Sequence, residues 1–325
     1  MDKQGRSIGG YFSLELPLRE KEYHQHAIAL NAGRNCLEYI LRVRRYSHIY
    51  IPYYTCEAVF EPIKKLGINY SFYHINYDFE LETQIELKVD EALLYINYFG
   101  LKRKYVEKIA SVYGQNLIVD NTQAFYDKPI IGIDTFYSCR KFFGVADGAY
   151  LYCDKHLDED LPFDTSWNRM SHLLKRLDLS AEEGYPDFQK QENALGGNSI
   201  RRMSRLTKRI MQSIDYDIAA KRRRSNYLLL ENYLRETNKL SLPSITPYDV
   251  PMIFPYLCKY KDLRTELIGR SIYVPRYWDS ILYEKFNSIE KELVHGLTPL
   301  PIDQRYLKSQ MLEIVNDIKV CLCND

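Results

Sequence analysis

The stretch Val119-Asp120-Asn-Thr-Gln123-Ala-Phe-Tyr126, followed by Phe136-Tyr-Ser138-Cys-Arg140-Lys141-Phe-Phe-Gly-Val-Ala-Asp-Gly-Ala-Tyr-Leu-Tyr152, decides how the rest of the chain is read. Asn116-Leu-Ile-Val-Asp120 is an apolar run that predicts a short buried strand with a carboxylate at its C-terminal end. Thr135-Phe-Tyr-Ser138 is a second such run; it ends in a hydroxyl, with Lys141 three residues on. Open parallel sheets bind ligands beyond the C-terminal ends of their strands. An acid, a Ser and a Lys gathered there suit a ligand with a basic ring nitrogen, a phosphate and an aldehyde.

Toward the N-terminus, Cys36, Leu37, Ile40 and Leu41 form an apolar stripe at helical spacing. Gly33 just ahead of it lets the backbone approach a ligand, and a helix start offers free N–H groups and a positive dipole end to an anion. His48-Ile-Tyr-Ile-Pro52 predicts a strand, and Tyr53-Tyr54-Thr55 leads into a helix capped by Thr55 and stopped by Gly67. Strands over 70–75 and 93–99 and a helix over 103–113 lead back to the Asp120 strand. This alternation predicts an α/β fold with a largely parallel sheet under covering helices. Gly9 to Pro17 reads as a tail laid across the body, and His24 and His26, without carboxylate neighbours, read as surface residues.

Past Tyr152 an acidic loop spans 154–164, and a short helix is expected over 171–179. Glu183-Gly184-Tyr-Pro-Asp187 and Gly196-Gly197-Asn198-Ser read as turns. One long helical stretch is expected from Met203 to Arg235, with Lys221-Arg-Arg-Arg224 as a solvated face. Beyond Pro243 a small α+β unit closes with a helix over 306–321. The expected division is an N-terminal segment (1–20), a large domain (21–215) and a smaller C-terminal domain (216–325).

Composition sets bounds. The 325 residues are 46% hydrophobic and 27% charged with a formal charge of +1, which gives no electrostatic footprint for nucleic acid or an anionic membrane. No apolar run approaches the roughly 18 residues of a membrane span. The first residues lead into no signal-peptide core, so a cytoplasmic protein is expected. Seven Cys at irregular spacing form neither a disulfide framework nor a zinc pattern, and no metal is expected. The 29 Tyr are spread along the chain and read as packing.

The ligand that matches the acid, Ser and Lys is pyridoxal phosphate (PLP), whose chemistry needs a Lys to bind its aldehyde and an acid to keep its ring nitrogen protonated. A reactive Lys is usually desolvated or set among cations. Arg140 and the Phe142-Phe143 pair are expected to supply that environment.

Taken together, these segments resemble the DegT/DnrJ/StrS family of PLP-dependent sugar aminotransferases, over nearly the whole chain and in the expected order. Asn31-Ala-Gly33-Arg34-Asn-Cys-Leu is similar to the family's phosphate turn, and Ile51-Pro-Tyr-Tyr-Thr-Cys-Glu-Ala to its Pro-x-x-Thr-x-x-Ala segment. Asp120-Asn-Thr-Gln123-Ala resembles Asp-x-Ala-Gln/His-Ala, and Ser138-Cys-Arg-Lys141 resembles Ser-x-x-Lys. Gly197-Asn198-Ser-Ile-Arg-Arg-Met-Ser204 is similar to the Asn-x-Arg-Met-Ser stretch, and Leu300-Pro301 to Tyr306 to the closing Leu-Pro-x-x-x-x-Tyr.

The resemblance implies the fold-type-I architecture of PLP-dependent transferases and a set of roles. Lys141 would hold PLP as its internal aldimine and then move the proton. Asp120 would pair with the ring nitrogen, and Gln123 would contact the ring or its phenolic oxygen. Ser138 and the backbone of Gly33 and Arg34 would hold the phosphate, and Asn198 would reach it from the neighbouring subunit of a homodimer. The implied reaction converts a nucleotide-linked keto sugar to an amino sugar, with glutamate as donor. The chain departs from the family where Cys56 replaces a ring-stacking aromatic, for which Tyr54 or Tyr53 would substitute, where Asn97 replaces a His, and where Asp147-Gly148-Ala149 replaces a Gly-rich turn. Two alternatives follow: a PLP-fold protein without turnover that acts by binding, and a sugar dehydratase-like enzyme. Lys141 speaks against the latter, whose members carry His there.

Overall fold

The computed structural model describes residues 8–19, 22–279 and 283–323. In chain order the elements are β1 (Ile28–Leu30), α1 (Gly33–Arg44), β2 (His48–Pro52), α2 (Phe60–Leu66), β3 (Asn69–Tyr73), β4 (Glu91–Ile96), α3 (Arg103–Tyr113), β5 (Leu117–Asp120), β6 (Asp134–Ser138) and β7 (Ala149–Tyr152). They continue with α4 (Ser171–Asp178), α5 (Ala181–Asn193), α6 (Arg205–Met211), α7 (Tyr216–Leu234), β8 (Ile253–Leu257), α8 (Leu263–Gly269), α9 (Ser288–Gly296), β9 (Leu297–Pro301) and α10 (Lys308–Cys323).

The apolar runs become the centre of a seven-stranded sheet, ordered β1-β7-β6-β5-β4-β2-β3. Strands β4 and β5 are buried along their whole length, which is why they read as continuous apolar runs rather than alternating ones. The ladders from β3 through β2, β4 and β5 to β6 are parallel, and β7 joins β6 and β1 antiparallel. All the parallel strands therefore end on one edge, where Asp120 and Ser138 emerge. One face of the sheet packs on Cys36, Leu37, Ile40 and Leu41 of α1, the stripe read from the sequence. The other face packs on α3 and on aromatics such as Tyr95, Tyr98 and Phe125. Strands β8 and β9 pair antiparallel, and with α7, α8 and α10 they enclose an apolar cluster that includes Tyr227, Leu230, Phe254 and Ile314. Among the described residues no helix is long and apolar enough to cross a membrane.

Several boundaries differ from the sequence reading for local reasons. Strand β4 stops at Ile96 because residues 97–100 fold into a tight turn, with Phe99 at φ 58° and Gly100 at φ 72°. Thr55 caps no helix; a short 3₁₀ turn precedes α2, and Gly67 ends α2 at φ 65°. The long helix divides into α6 and α7, because Ser204 caps the first through Thr207 N and Asp215 caps the second through Ile218 N. The Lys221–Arg224 run is not one solvated face: Arg223 is 1% exposed, on the α7 stripe that also buries Tyr227, Leu230 and Leu234. His24 is not on the surface either; it is enclosed by Phe125, Tyr137 and Tyr150, and its Nε2 lies 2.8 Å from the Phe125 carbonyl oxygen.

The segment 183–187 is helix, not turn. Ser180 caps α5 through Glu183 N at 3.2 Å, and Pro186 lies on its exposed side, where water can satisfy the carbonyl that the imino acid leaves unpaired. Gly184 lets α5 close on α4, for a Cβ there would stand 2.9 Å from the His172 carbonyl oxygen. Gly184→Ala should therefore cost about 1–3 kcal/mol of stability through forced separation of the two helices. Urea unfolding of the purified variant measures it, and an unchanged midpoint would contradict the close approach.

Candidate active site

The site forms where β5 and β6 end and α1 begins. Asp120, the last residue of β5, is buried, and its Oδ1 accepts the Thr122 amide at 2.8 Å. Burial pushes its carboxyl above the ordinary range, while the Thr122 hydrogen bonds and the charge of Lys141 pull it back. A buried carboxylate with one distant cation is under-compensated, and it favours a positively charged hydrogen-bond donor.

Helix α1 begins beside it. Its N-cap, Ala32, supplies no side chain, and the first helical bonds run from Asn35 and Cys36 to the Ala32 carbonyl, so the turn starting at Gly33 and Arg34 presents free amides. A Cβ on Gly33 would stand 3.2 Å from the Thr122 methyl, so close approach to the Asp120 turn, not a left-handed backbone, calls for glycine here. The Arg34 guanidinium turns to Glu61 at 2.5 Å, and Glu61 also accepts the Gly197 amide at 2.8 Å. Asn198 lies on the same chain's α1: its carbonyl accepts from Asn35 at 2.9 Å, and its own amide donates to the Ala194 carbonyl at 2.7 Å.

Gln123 is buried with its Oε1 accepting the Phe99 amide at 2.8 Å, which leaves its Nε2 without a partner in the chain. Unpaired buried donors are rare, and this one lies three residues from Asp120. Asn97, by contrast, is fully engaged. Its Nδ2 donates to Asn121 Oδ1 at 3.0 Å and to Asp127 Oδ2 at 2.7 Å, and its Oδ1 accepts the Lys102 amide at 3.0 Å. An imidazole has two ring nitrogens and cannot make these three bonds, which gives Asn97 a structural reason to stand where the family places His.

Lys141 follows Ser138 in an irregular loop that returns to β7. It is exposed on the wall of a cleft of about 910 Å³, lined also by the α4–α5 pair, residues 270–277 and the segment after β9. The desolvated setting expected for it is not present. Arg140 is turned away into an ion pair with Glu192, and Phe142 and Phe143 point inward onto Phe125 and Tyr126. The rings gain more by entering the core, roughly 1.5–3 kcal/mol each, than by shielding a neighbour.

Tyr54 is also placed differently. It is fully buried, its hydroxyl donates to the Tyr277 carbonyl at 2.9 Å, and its ring stacks on Tyr98. Tyr53 is stacked between Phe72 and His74. Neither ring offers a free face; of the residues expected at the site, Lys141 lines the cleft, while Asp120 and Gln123 are buried. Asp147, where the sequence departs from the Gly-rich turn, is buried; its carboxylate accepts the Ser204 amide and hydroxyl and the Thr207 hydroxyl, and so anchors the start of α6.

No protein-family model and no curated protein matches the sequence. Solved structures match the fold. A DegT/DnrJ/EryC1/StrS aminotransferase from Brucella abortus has a TM-score of 0.60 at 15% identity, over 90% of this chain and 85% of that one. The PLP form of the Streptococcus pneumoniae sugar aminotransferase Spr1654 has a TM-score of 0.64 at 15% identity, over 91% and 86%. Helicobacter pylori PseC, an aminotransferase of pseudoaminic acid biosynthesis, has a TM-score of 0.62 at 11% identity, over 95% and 93%. The chain thus has the architecture of these aminotransferases, the fold-type-I plan expected from its sequence.

Asp127, seven residues past Asp120 and bonded to Asn97, is a titration switch: burial lifts its carboxyl to about 7 while the Asn97 bond opposes the rise. Between the usual carboxylate range and pH 7 the native state therefore holds a proton that the unfolded chain has released. Stability from this group is greatest at low pH and falls as pH rises through that window, by on the order of 4 kcal/mol in all. Asp127→Asn should flatten that part of the pH–stability curve and raise stability above pH 7. Denaturant titrations at pH 5 and pH 8 check it; parallel pH dependence in both proteins would refute the assignment.

Proposed function

We propose that this chain is a PLP-dependent aminotransferase of the DegT/DnrJ/StrS kind. It converts a nucleotide-linked keto sugar to an amino sugar with glutamate as donor, and it works as a homodimer. The observation that carries the reading is Asp120, a buried and under-compensated carboxylate at the end of β5, within electrostatic reach of Lys141.

The residues present suit PLP. The unpartnered Gln123 Nε2 is a donor for an oxygen on the ring, the α1 start and Ser138 are donors for a phosphate, and Gly33 keeps the floor beside Asp120 low. When bound, PLP supplies an electron sink through its protonated ring nitrogen. Asp120 holds that proton in place, and the attraction offsets the cost of burying its carboxylate. Lys141 Nζ would hold the cofactor covalently and would serve as the acid–base group that moves the proton at the substrate carbon. The exposure of Lys141 on a cleft wall suits both tasks, since a donor and a bulky acceptor must reach it in turn. Asn198 is assigned to the phosphate site of a second copy, which requires it to exchange its bond to Ala194.

Soaking the purified protein in PLP should give a near-visible absorption band that glutamate converts to the shorter-wavelength pyridoxamine form. No band would remove the reading; a band indifferent to glutamate would remove the donor or the turnover. Borohydride reduction should fix the cofactor on the peptide carrying Lys141, and Lys141→Ala should fold yet take up no covalent label. Asp120→Asn should retain PLP but slow the glutamate half-reaction by on the order of 100-fold or more; a normal rate would sink the role given to Asp120.

A further inference from the structure

Arg223 is the largest fully buried side chain among the described residues, and it has no part in the roles proposed for the site. All of its polar nitrogens donate to neutral oxygens: Nε to Gln304 Oε1 at 2.9 Å, Nη1 to the Met252 carbonyl at 3.1 Å and Nη2 to the Phe142 carbonyl at 3.2 Å. Its guanidinium also lies 4.5 Å from the centre of the Phe142 ring, a cation–π distance. Gln304 repeats the pattern, for its Nε2 donates to the same Phe142 carbonyl at 2.8 Å. Burying a guanidinium without a carboxylate partner is costly, and an aliphatic side chain could fill the volume without that cost. What an aliphatic side chain could not do is hold three oxygens from three separate segments in one plane.

The oxygen that accepts from both Arg223 and Gln304 belongs to the residue after Lys141. The exposed Lys141 side chain has four rotatable bonds and no ion pair among the described residues, so its placement depends on its backbone. On the near side, that backbone is fixed by the Phe142 and Phe143 amides, which donate to the Cys139 carbonyl at 3.1 and 2.9 Å. On the far side it is fixed by Arg223 and Gln304.

We propose that Arg223, with Gln304, is a positioning residue for Lys141: together they clamp the Phe142 carbonyl and transmit the placement of α7 and the post-β9 segment to the anchoring amine. The proposal rests on the assignment of Lys141 as the PLP anchor. It goes beyond that assignment by making residues of the C-terminal half determinants of how Lys141 is presented.

The test uses Arg223→Met, Arg223→Lys and Gln304→Leu, with two readouts. The first is amide hydrogen exchange of the cofactor-free protein over residues 139–147, compared with β4 and β5. The second is the rate at which PLP becomes borohydride-fixable on Lys141. Loss of a charge-assisted bond should speed exchange in the loop by roughly ten-fold or more while β4 and β5 are unchanged, and should slow PLP attachment by a similar factor. Arg223→Lys should not rescue either, because an ammonium cannot span the three oxygens. Gln304→Leu, which deletes the 2.8 Å bond to the carbonyl and the 2.9 Å bond accepted from Arg223 Nε, should show the same loop-confined effect, and it carries the test if Arg223→Met fails to fold. Unchanged exchange at 139–147, a loss of protection spread equally over β4 and β5, or wild-type behaviour in Arg223→Lys would overturn the clamp. If the wild-type protein attaches no PLP, the functional reading fails, while the exchange data still decide whether the loop is clamped.

Discussion

Between Ser138 and Ala149 the chain leaves one sheet strand and joins its neighbour through a loop with no ladder of its own. Its buried peptide groups must find partners elsewhere, since each one left unpaired costs about as much as a lost hydrogen bond. Those partners come from several segments distant in sequence. The Gly148 amide donates to the Asn31 carbonyl at 2.7 Å, just ahead of α1. Gln191 of α5 donates to the Ala146 carbonyl at 2.8 Å, Asp147 binds the start of α6, and Arg223 of α7 and Gln304 hold the Phe142 carbonyl. Satisfying one irregular loop thereby ties together helices far apart in sequence, and the loop is the one that carries Lys141.

The same requirement accounts for the charge pattern nearby. Arg140, Arg223 and Asp147 flank or touch the loop and are all buried or nearly so, and each is committed to a structural partner. Lys141 is left as the residue of that loop with an accessible charge. Across the sheet edge, burial raises the carboxyls of both Asp120 and Asp127; Asp127, lifted to about 7, has the Asn97 amide at 2.7 Å, whereas Asp120 has the Thr122 amide at 2.8 Å and the charge of Lys141. The proposed site rests on an accessible amine and a buried acid within its electrostatic reach; fully paired charges would make only a core.

Much of this was legible in the sequence where the physics is local. The apolar runs ending at Asp120 and Ser138, the stripe of α1 and the helix at 103–113 follow from periodicity and stand where expected. The turn expected around Pro186 failed because one exposed proline is compatible with a helix whose partner is packed against Gly184. The Lys221–Arg224 run was misread because charge outweighed position. Arg223 falls one turn before Tyr227 and two before Leu230, so the stripe that buries it was present in the spacing.

The sequence by itself determined the order of strands and helices, the strand ends that bring Asp120 and Ser138 to one edge, and the residue types available there. Tertiary structure alone decided which of those residues face the cleft. Tyr54 lost its free ring to a carbonyl 223 residues away, and Arg223 found its carbonyl 81 residues away. The reason is physical: periodicity records which side of an element is apolar, an effect of near neighbours. The partner that satisfies a buried hydroxyl, guanidinium or peptide group is set by whichever distant segment the packing brings alongside.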